Sequence, residues 1–394
     1  MNNIISERIK NTPPSFIRGI LKAAERDDVI SFAGGLPNPI SFPQEALQES
    51  MNRVIAEHGS HVFQYAATAG LLSLREYIAD KYKRQYKLEI EPDDIIITTG
   101  SQQALDLIGK VLINEGDAVL VEEPGYLGAI QAFSQYQPKF YGVPLLKDGP
   151  DICYFEEILK KEKVKFAYLI PNFQNPTGLT YSAEKRAAVL ELARKYHCIL
   201  VEDDPYGELS FNGKVNGYIS RDGLEESILL GTFSKIVTPG MRLGFMIIKD
   251  EKLRKYVNTA KEAADLHSNI FAQYCIWDYV MHNDIQEHIK KIRKLYKEQC
   301  ETMIQAMERY FPKEISFTKP EGGMFIWATL PEGQRATALF EKALSQKVAF
   351  VPGNPFYTDG REANTMRLNY TNASKEMIEE GIKRLAKLFD EITM

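Results

Sequence analysis

Between about residue 70 and residue 248, short apolar runs alternate with stretches of helical spacing, and this alternation restricts the fold more than any other feature of the chain. The runs are "DIIITT" (94–99), "DAVLVEE" (117–123), "KFAYLI" (165–170), "CILVE" (198–202), "SILLGT" (227–232) and "RLGFMII" (242–248). Each reads as a buried strand. Helical spacing fills 101–113 and 182–196, the latter opening on Ser182 as an N-cap and turning Val189, Leu190, Leu192 and Ala193 inward. Ahead of the first run, Leu71, Leu74, Tyr77, Ile78 and Tyr82 share one helical face. Strands separated by helices in this rhythm build a mostly parallel central sheet, so the fold class is α/β.

Beyond about residue 250 long charged helices take over, and after Pro320 short strands return in "GGMFIWATL", "VAFVPG" and "TMRLNY" before a final helix near 373–391. This predicts a smaller α+β domain. The expected division is an N-terminal segment, 1–45, packing on the small domain, a large domain over 46–290, and the small domain over 291–394.

With 394 residues, 44% apolar and 11% aromatic, the chain can bury a large core. Its net charge of −5 comes from interspersed charges with no basic block, so nucleic acid is not an expected partner. Cys153, Cys198, Cys275 and Cys300 lie far apart and suggest neither a disulfide framework nor a zinc site, which fits a reducing cytoplasm. No signal peptide is read at the start, and no apolar run approaches the roughly 18 residues of a spanning helix. His58 and His61 read as a helix end and loop, and no metal is expected.

In open α/β sheets, ligands bind beyond the carboxyl ends of the strands. After 94–99 comes "GSQQALDLI", which sets Ser101 and Gln102 at a helix start suited to a phosphate. After 117–123 comes "PGY" with Tyr126; after 165–170, "PNFQNPTG" with Asn175; after 198–202, "DDPYG" with Asp203 and Tyr206. The stretch "GTFSKIVTPGMRLGF" (231–245) adds Thr232, Ser234, Lys235 and Arg242. Hydroxyls and an arginine beside a helix start can hold a dianion through charge-assisted hydrogen bonds. A buried Asp203 is costly unless it faces a cation, such as a protonated ring nitrogen, and a sheltered Lys235 can condense with an aldehyde and later act as a base. Pyridoxal phosphate combines phosphate, ring nitrogen and aldehyde. Singly the signals are weak: Asp203 and Asp204 before Pro205 could serve a turn, Asn175-Pro176 could start one, and Ser101 could cap its helix.

The ordered set "GSQQAL", "PGY", "NPTG", "EDDPYGEL", "SKxxxPGxRLGF" and "MRLNY" resembles the fold-type-I, class I/II pyridoxal-phosphate aminotransferases over essentially the whole chain. "ISFAGGLPNPISFP" further resembles the 2-aminoadipate, kynurenine and archaeal aromatic subgroup. The resemblance implies an aspartate aminotransferase-like fold, a homodimer, and transfer of an amino group between an L-amino acid and a 2-oxo acid. It implies Lys235 as the Schiff-base lysine, Asp203 as the partner of the ring nitrogen, and Tyr206 and Asn175 as donors to the ring's phenolic oxygen. Tyr126 corresponds to the stacked aromatic; Ser101, Gln102, Thr232, Ser234 and Arg242 to phosphate ligands, joined by Tyr65 from a second subunit. Arg367 corresponds to the fork for the α-carboxylate, with Gly35 lining the substrate space. Arg18 has two readings, a solvated helix arginine or a partner for a substrate's distal carboxylate. The same apparatus also serves β-elimination from cysteine conjugates or a non-catalytic ligand sensor. The 30 or so residues before "ISFAGGLP" are too few for a winged helix, which speaks against the sensor.

Overall fold

The computed structural model describes residues 4–10, 12, 19, 20, 26, 28–214, 216–219, 225 and 227–393. After a two-residue strand β1 (Ile30–Ser31), the strands of the large sheet follow in the chain as β2 (Ile95–Thr98), β3 (Ala118–Glu123), β4 (Lys139–Leu146), β5 (Gly149–Pro150), β6 (Val164–Leu169), β7 (Ile199–Asp203), β8 (Ser227–Thr232) and β9 (Gly244–Ile247). Their spatial order is β2-β9-β8-β7-β6-β3-β4-β5, with β8, β7, β6, β3 and β4 mutually parallel. Strand β9 runs antiparallel to both of its neighbours.

This sheet is buried on both faces, and side-chain alternation shows it directly. Strand β3 sends Val119 and Val121 into one apolar cluster and Ala118 and Leu120 into the other; β6 divides Phe166 and Tyr168 from Ala167 and Leu169 in the same way. On the first face the helix Ser101–Leu112 packs between Leu127–Ser134 and Glu251–Asp265. Ser182 accepts the Lys185 N–H as the N-cap of Ala183–Lys195, as its sequence predicts, and Asp250, Asn269 and Asp284 cap the next three helices.

Strands β10 (Ser316–Phe317), β11 (Phe325–Thr329), β13 (Val351–Pro352) and β14 (Thr365–Asn369) form a second, antiparallel sheet, while β12 (Val348–Ala349) pairs in parallel with β1. The pairing of Ile30 with Val348 ties the early segment to the late one. The 26-residue helix Ile285–Tyr310 runs across position 290, so the two parts share a helix instead of being joined by a loop there. Along it, Arg293 donates to the Glu208 carbonyl (2.7 Å), the Tyr296 hydroxyl accepts the Asn38 N–H (3.1 Å) and Gln299 donates to the Ala373 carbonyl (2.7 Å). Among the described residues no helix is long and apolar enough to cross a membrane.

Candidate active site

The parallel strands β3, β6, β7 and β8 all end on the same edge of the sheet, at Glu123, Leu169, Asp203 and Thr232. There the chain leaves a cavity of about 340 Å³.

Asp203 shares its face of the sheet with Tyr168, because Tyr168 pairs with Val201 and Asp203 lies two residues beyond Val201 on the same strand. The Tyr168 hydroxyl donates to Asp203 Oδ2 at 2.7 Å, while Oδ1 is buried and has no partner. Burial pushes the carboxyl up to about 7. Such an oxygen has a lone pair waiting for a cationic N–H.

Lys235 follows β8 in the next turn, and its Nζ donates to the Gly35 carbonyl at 3.0 Å. Burial first, then the like charges of Arg367 and Arg242, hold its pKa down to about 8. A substantial share of the amine is therefore neutral near physiological pH.

Arg367, at the centre of β14, is buried. One terminal nitrogen donates to Asn175 Oδ1 (2.9 Å), the other to the Ala33 carbonyl (2.7 Å), and the guanidinium lies 4.3 Å over the Phe325 ring. Its Nε has no partner, and burial lowers its pKa to about 10. Asn175 in turn donates to the Tyr206 hydroxyl at a long 3.5 Å.

At the cavity's other end, Gly100 with φ +74° is the N-cap of Ser101–Leu112 and no side chain caps that helix. A Cβ on Gly100 would stand 2.6 Å from the Arg242 guanidinium, so the arginine lies directly over a residue that only glycine can supply. Arg242 itself has φ +53°, in the left-handed region that non-glycine residues adopt infrequently. Uncapped helix N–H groups under a guanidinium form an anion site. Gln102 anchors it by donating to the Gly128 carbonyl (3.0 Å), and Thr232 accepts the Ser234 N–H (3.1 Å) across the lysine turn.

The structure thus brings together Ser101, Gln102, Tyr126, Asn175, Asp203 and Tyr206 around one cavity. Thr232, Ser234, Lys235, Arg242, Arg367 and Gly35 complete the same lining. Tyr65 does not line it; its side chain is 79% exposed and stands edge-on to His267 at 5.9 Å. Arg18 lies outside the described residues.

Two features escaped the sequence reading. Tyr168 sits mid-strand among apolar residues and looks like core, yet its hydroxyl orients Asp203. Glu122 is fully buried, accepts from Ile170 N–H (3.0 Å), Gln174 Nε2 (2.9 Å) and the Tyr181 hydroxyl, and so fixes the 171–178 loop that carries Asn175. A glutamate pair, Glu122 and Glu123, closing an otherwise apolar strand was the available signal.

Residues 32–385 match the aminotransferase class I and II family. The chain belongs to the class I and II aminotransferases. It is 44% identical to an aromatic-amino-acid aminotransferase of Thermococcus litoralis over 392 residues, 98% of this chain and 94% of that one. To a 2-aminoadipate transaminase of Thermus thermophilus it is 41% identical over 377 residues, 95% and 93% of the two chains. Among solved structures, a kynurenine aminotransferase of Pyrococcus horikoshii in complex with PMP superposes with a TM-score of 0.95 at 42% identity, covering 100% of this chain and 98% of that one.

This aminotransferase is therefore a pyridoxal-phosphate-dependent transaminase of the aspartate aminotransferase-like fold. The cavity fits the cofactor on three independent counts. Asp203 Oδ1 lacks the donor a ring N–H supplies; the Gly100–Gln102 turn and Arg242 lack the anion a phosphate supplies; and Lys235 offers a partly neutral amine for an aldehyde.

Proposed function

We propose that this transaminase takes amino groups from L-amino acids of the 2-aminoadipate, glutamate, aromatic or branched-chain type, acts on a 2-oxo acid in exchange, and works as a homodimer in the cytoplasm. The observation that carries the substrate reading is Arg367, a buried guanidinium whose Nε has no protein partner and which faces the amino-acid end of the cavity alongside Asn175. A planar fork of this kind suits an α-carboxylate. Leu127, Ile170 and Phe325 give the remaining wall an apolar character that accepts an aromatic or aliphatic side chain. A distal carboxylate, as in 2-aminoadipate, needs a further cation, and Arg18 is our assignment for it.

When bound, the cofactor supplies an electron-accepting ring that makes the substrate's Cα proton acidic. Asp203, held by Tyr168, would keep a negative charge against the ring nitrogen, and Lys235 in its neutral form would take the proton from Cα and deliver it across the C–N bond to the cofactor's side. Arg367 and Asn175 would orient the carboxylate, and Tyr206 and Asn175 would hold the ring's oxygen side.

Support for the dimer comes from aromatic side chains left in water: Phe63, 69% exposed, stacks on Phe271 at 5.8 Å, and Tyr65, 79% exposed, stands edge-on to His267. Exposed aromatics in one cluster mark an interface, and the four free cysteines fit a reducing compartment. The first test is the visible absorption band of the holoenzyme after adding L-2-aminoadipate, L-glutamate, L-phenylalanine or L-leucine separately, with product analysis. Bleaching with release of the 2-oxo acid defines the donor class; pyruvate and ammonia from a cysteine conjugate would favour a lyase instead. Arg18→Ala is expected to impair only the two dicarboxylic donors. Mixing inactive Tyr65→Ala and Lys235→Ala proteins should restore activity, since the mixed dimer contains one intact site; no restoration removes Tyr65 from the partner's site.

A further inference from the structure

Behind the Gly100–Gln102 turn lies a second polar cluster that no step above uses. Lys261, in the helix Glu251–Asp265, is completely buried. Its Nζ donates to Asp265 Oδ1 (2.7 Å) and Oδ2 (3.0 Å), to Ser268 Oγ (3.1 Å) and, more weakly, to Gln103 Oε1 (3.4 Å). Gln103 is held twice more, its Nε2 donating to Asp265 Oδ2 (2.6 Å) and its Oε1 accepting the Thr99 N–H (2.8 Å). The Thr99 hydroxyl lies 3.1 Å from Ser268 Oγ. Residues 99 and 103 are therefore both fixed from the same helix end, and between them sits the turn assigned to the phosphate.

A buried lysine is destabilising unless it is paired and its donors are used, and an apolar side chain of similar size would fill the space at lower cost. Here all three donors are spent on groups that grip the two flanks of the turn. Because Lys261 and Asp265 form a neutral pair, their effect on a ligand is geometric and not a matter of added charge. The neutral pair leaves the ring end, at Asp203 and Lys235, untouched.

We propose that Lys261 is a positioning residue that sets the phosphate cradle by clamping Thr99 and Gln103 on either side of Gly100–Gln102. The inference rests on the reading of that turn and Arg242 as the phosphate site. Discrimination between pyridoxal phosphate and pyridoxal, which lacks the phosphate, isolates the effect. Dissociation constants of both are measured on cofactor-free Lys261→Met and on Lys261→Met/Asp265→Asn, the second of which leaves no unpaired charge.

The expected result is a loss of roughly tenfold or more for pyridoxal phosphate, with pyridoxal affinity within about twofold of wild type. The ³¹P resonance of the bound phosphate should move as well. Equal losses for both ligands, or none, would overturn the proposal. Arg242→Met serves as the reference: if it too fails to discriminate, the cradle reading itself falls, whereas discrimination by Arg242→Met alone removes only Lys261. If Lys261→Met does not fold, Thr99→Val, which removes one hydroxyl of the clamp, must show the same selective loss at smaller size; equal or absent losses there count against the proposal in the same way.

Discussion

Replacing Asp203 by Asn should stabilise the cofactor-free protein while disabling the enzyme, and the sign of the first effect follows from burial. The carboxyl has one donor, Tyr168, and one bare oxygen, and its pKa rises from 3.8 to about 7. A folded-state pKa above the unfolded one means the folded chain binds the proton more tightly, so this group's contribution to stability falls as pH rises from 3.8 through 7 and stays low above it. At about 1.4 kcal/mol per pH unit, the span from pH 5 to pH 7 amounts to about 3 kcal/mol. An unfolding entropy of about 2.1 cal/mol/K per residue gives roughly 0.8 kcal/mol/K for a chain of this length, so the effect is about 3–4 °C in Tm. Asn carries no charge at either pH, and every other titration cancels in the comparison. Scanning calorimetry of the dialysed proteins at one scan rate should find Asp203→Asn above wild type by only about 2 °C at pH 5, little more than a pH unit above the unfolded value. At pH 8 the variant should melt a few degrees higher. Saturating pyridoxal phosphate should reverse the order, because only the carboxylate can pair with a cationic ring. A variant that is less stable than wild type by the same margin at both pH values would refute the reasoning.

Capture of pyridoxal phosphate by the cofactor-free protein should quicken as pH rises through about 8 and then level off, since only the neutral Lys235 amine attacks; a rate still climbing toward 10.5 would place that lysine in water. Arg367→Lys keeps the charge but loses the fork, and kcat/KM should fall about 10²–10³-fold for every amino donor; unchanged kinetics would free Arg367 from the carboxylate role. Gly100→Ala adds a Cβ 2.6 Å from Arg242 at φ +74°, so cofactor affinity should drop about tenfold in a dialysis titration; wild-type affinity would mean that Arg242 does not lie over the turn in the holoenzyme.

Much of the large sheet could be read from the residues because strands buried on both faces leave dense apolar runs, as in "DAVLVEE" and "SILLGT". Strand β4 could not. Its "KFYGVPLL" carries Gly142 and Pro144, which weaken or interrupt a ladder, and most of its residues are only half-buried. Nor could the two-residue pairing of β1 with β12, which depends on a contact more than 300 residues apart in the chain. At the site, residue types announced themselves where chemistry demands them, as Lys235 and Asp203 do. Their orienting partners did not, because a tyrosine such as Tyr168 or a backbone carbonyl such as those of Gly35 and Ala33 has no distinctive sequence context. Tyr65 illustrates a further limit: among the described residues it stands exposed and lines no part of the cavity that holds Lys235.

The helix Ile285–Tyr310 has a mechanical consequence. At about 1.5 Å per residue it is a rod roughly 39 Å long. Around its middle, Arg293 is bonded to Glu208, two residues past Tyr206, Tyr296 to Asn38, three past Gly35, and Gln299 to Ala373, beyond the Arg367 strand. If the two sheets rock against each other when an amino acid binds, this rod must tilt or bend, since no loop at position 290 can act as a free hinge. The three bonds span only about 9 Å of the rod, so a tilt of about 5° shifts the outer two against each other by somewhat under about 1 Å. The rod thus couples three segments around the cavity as one body, and substitutions on its solvent face, far from any reacting atom, gain a route to the rate of opening and closing.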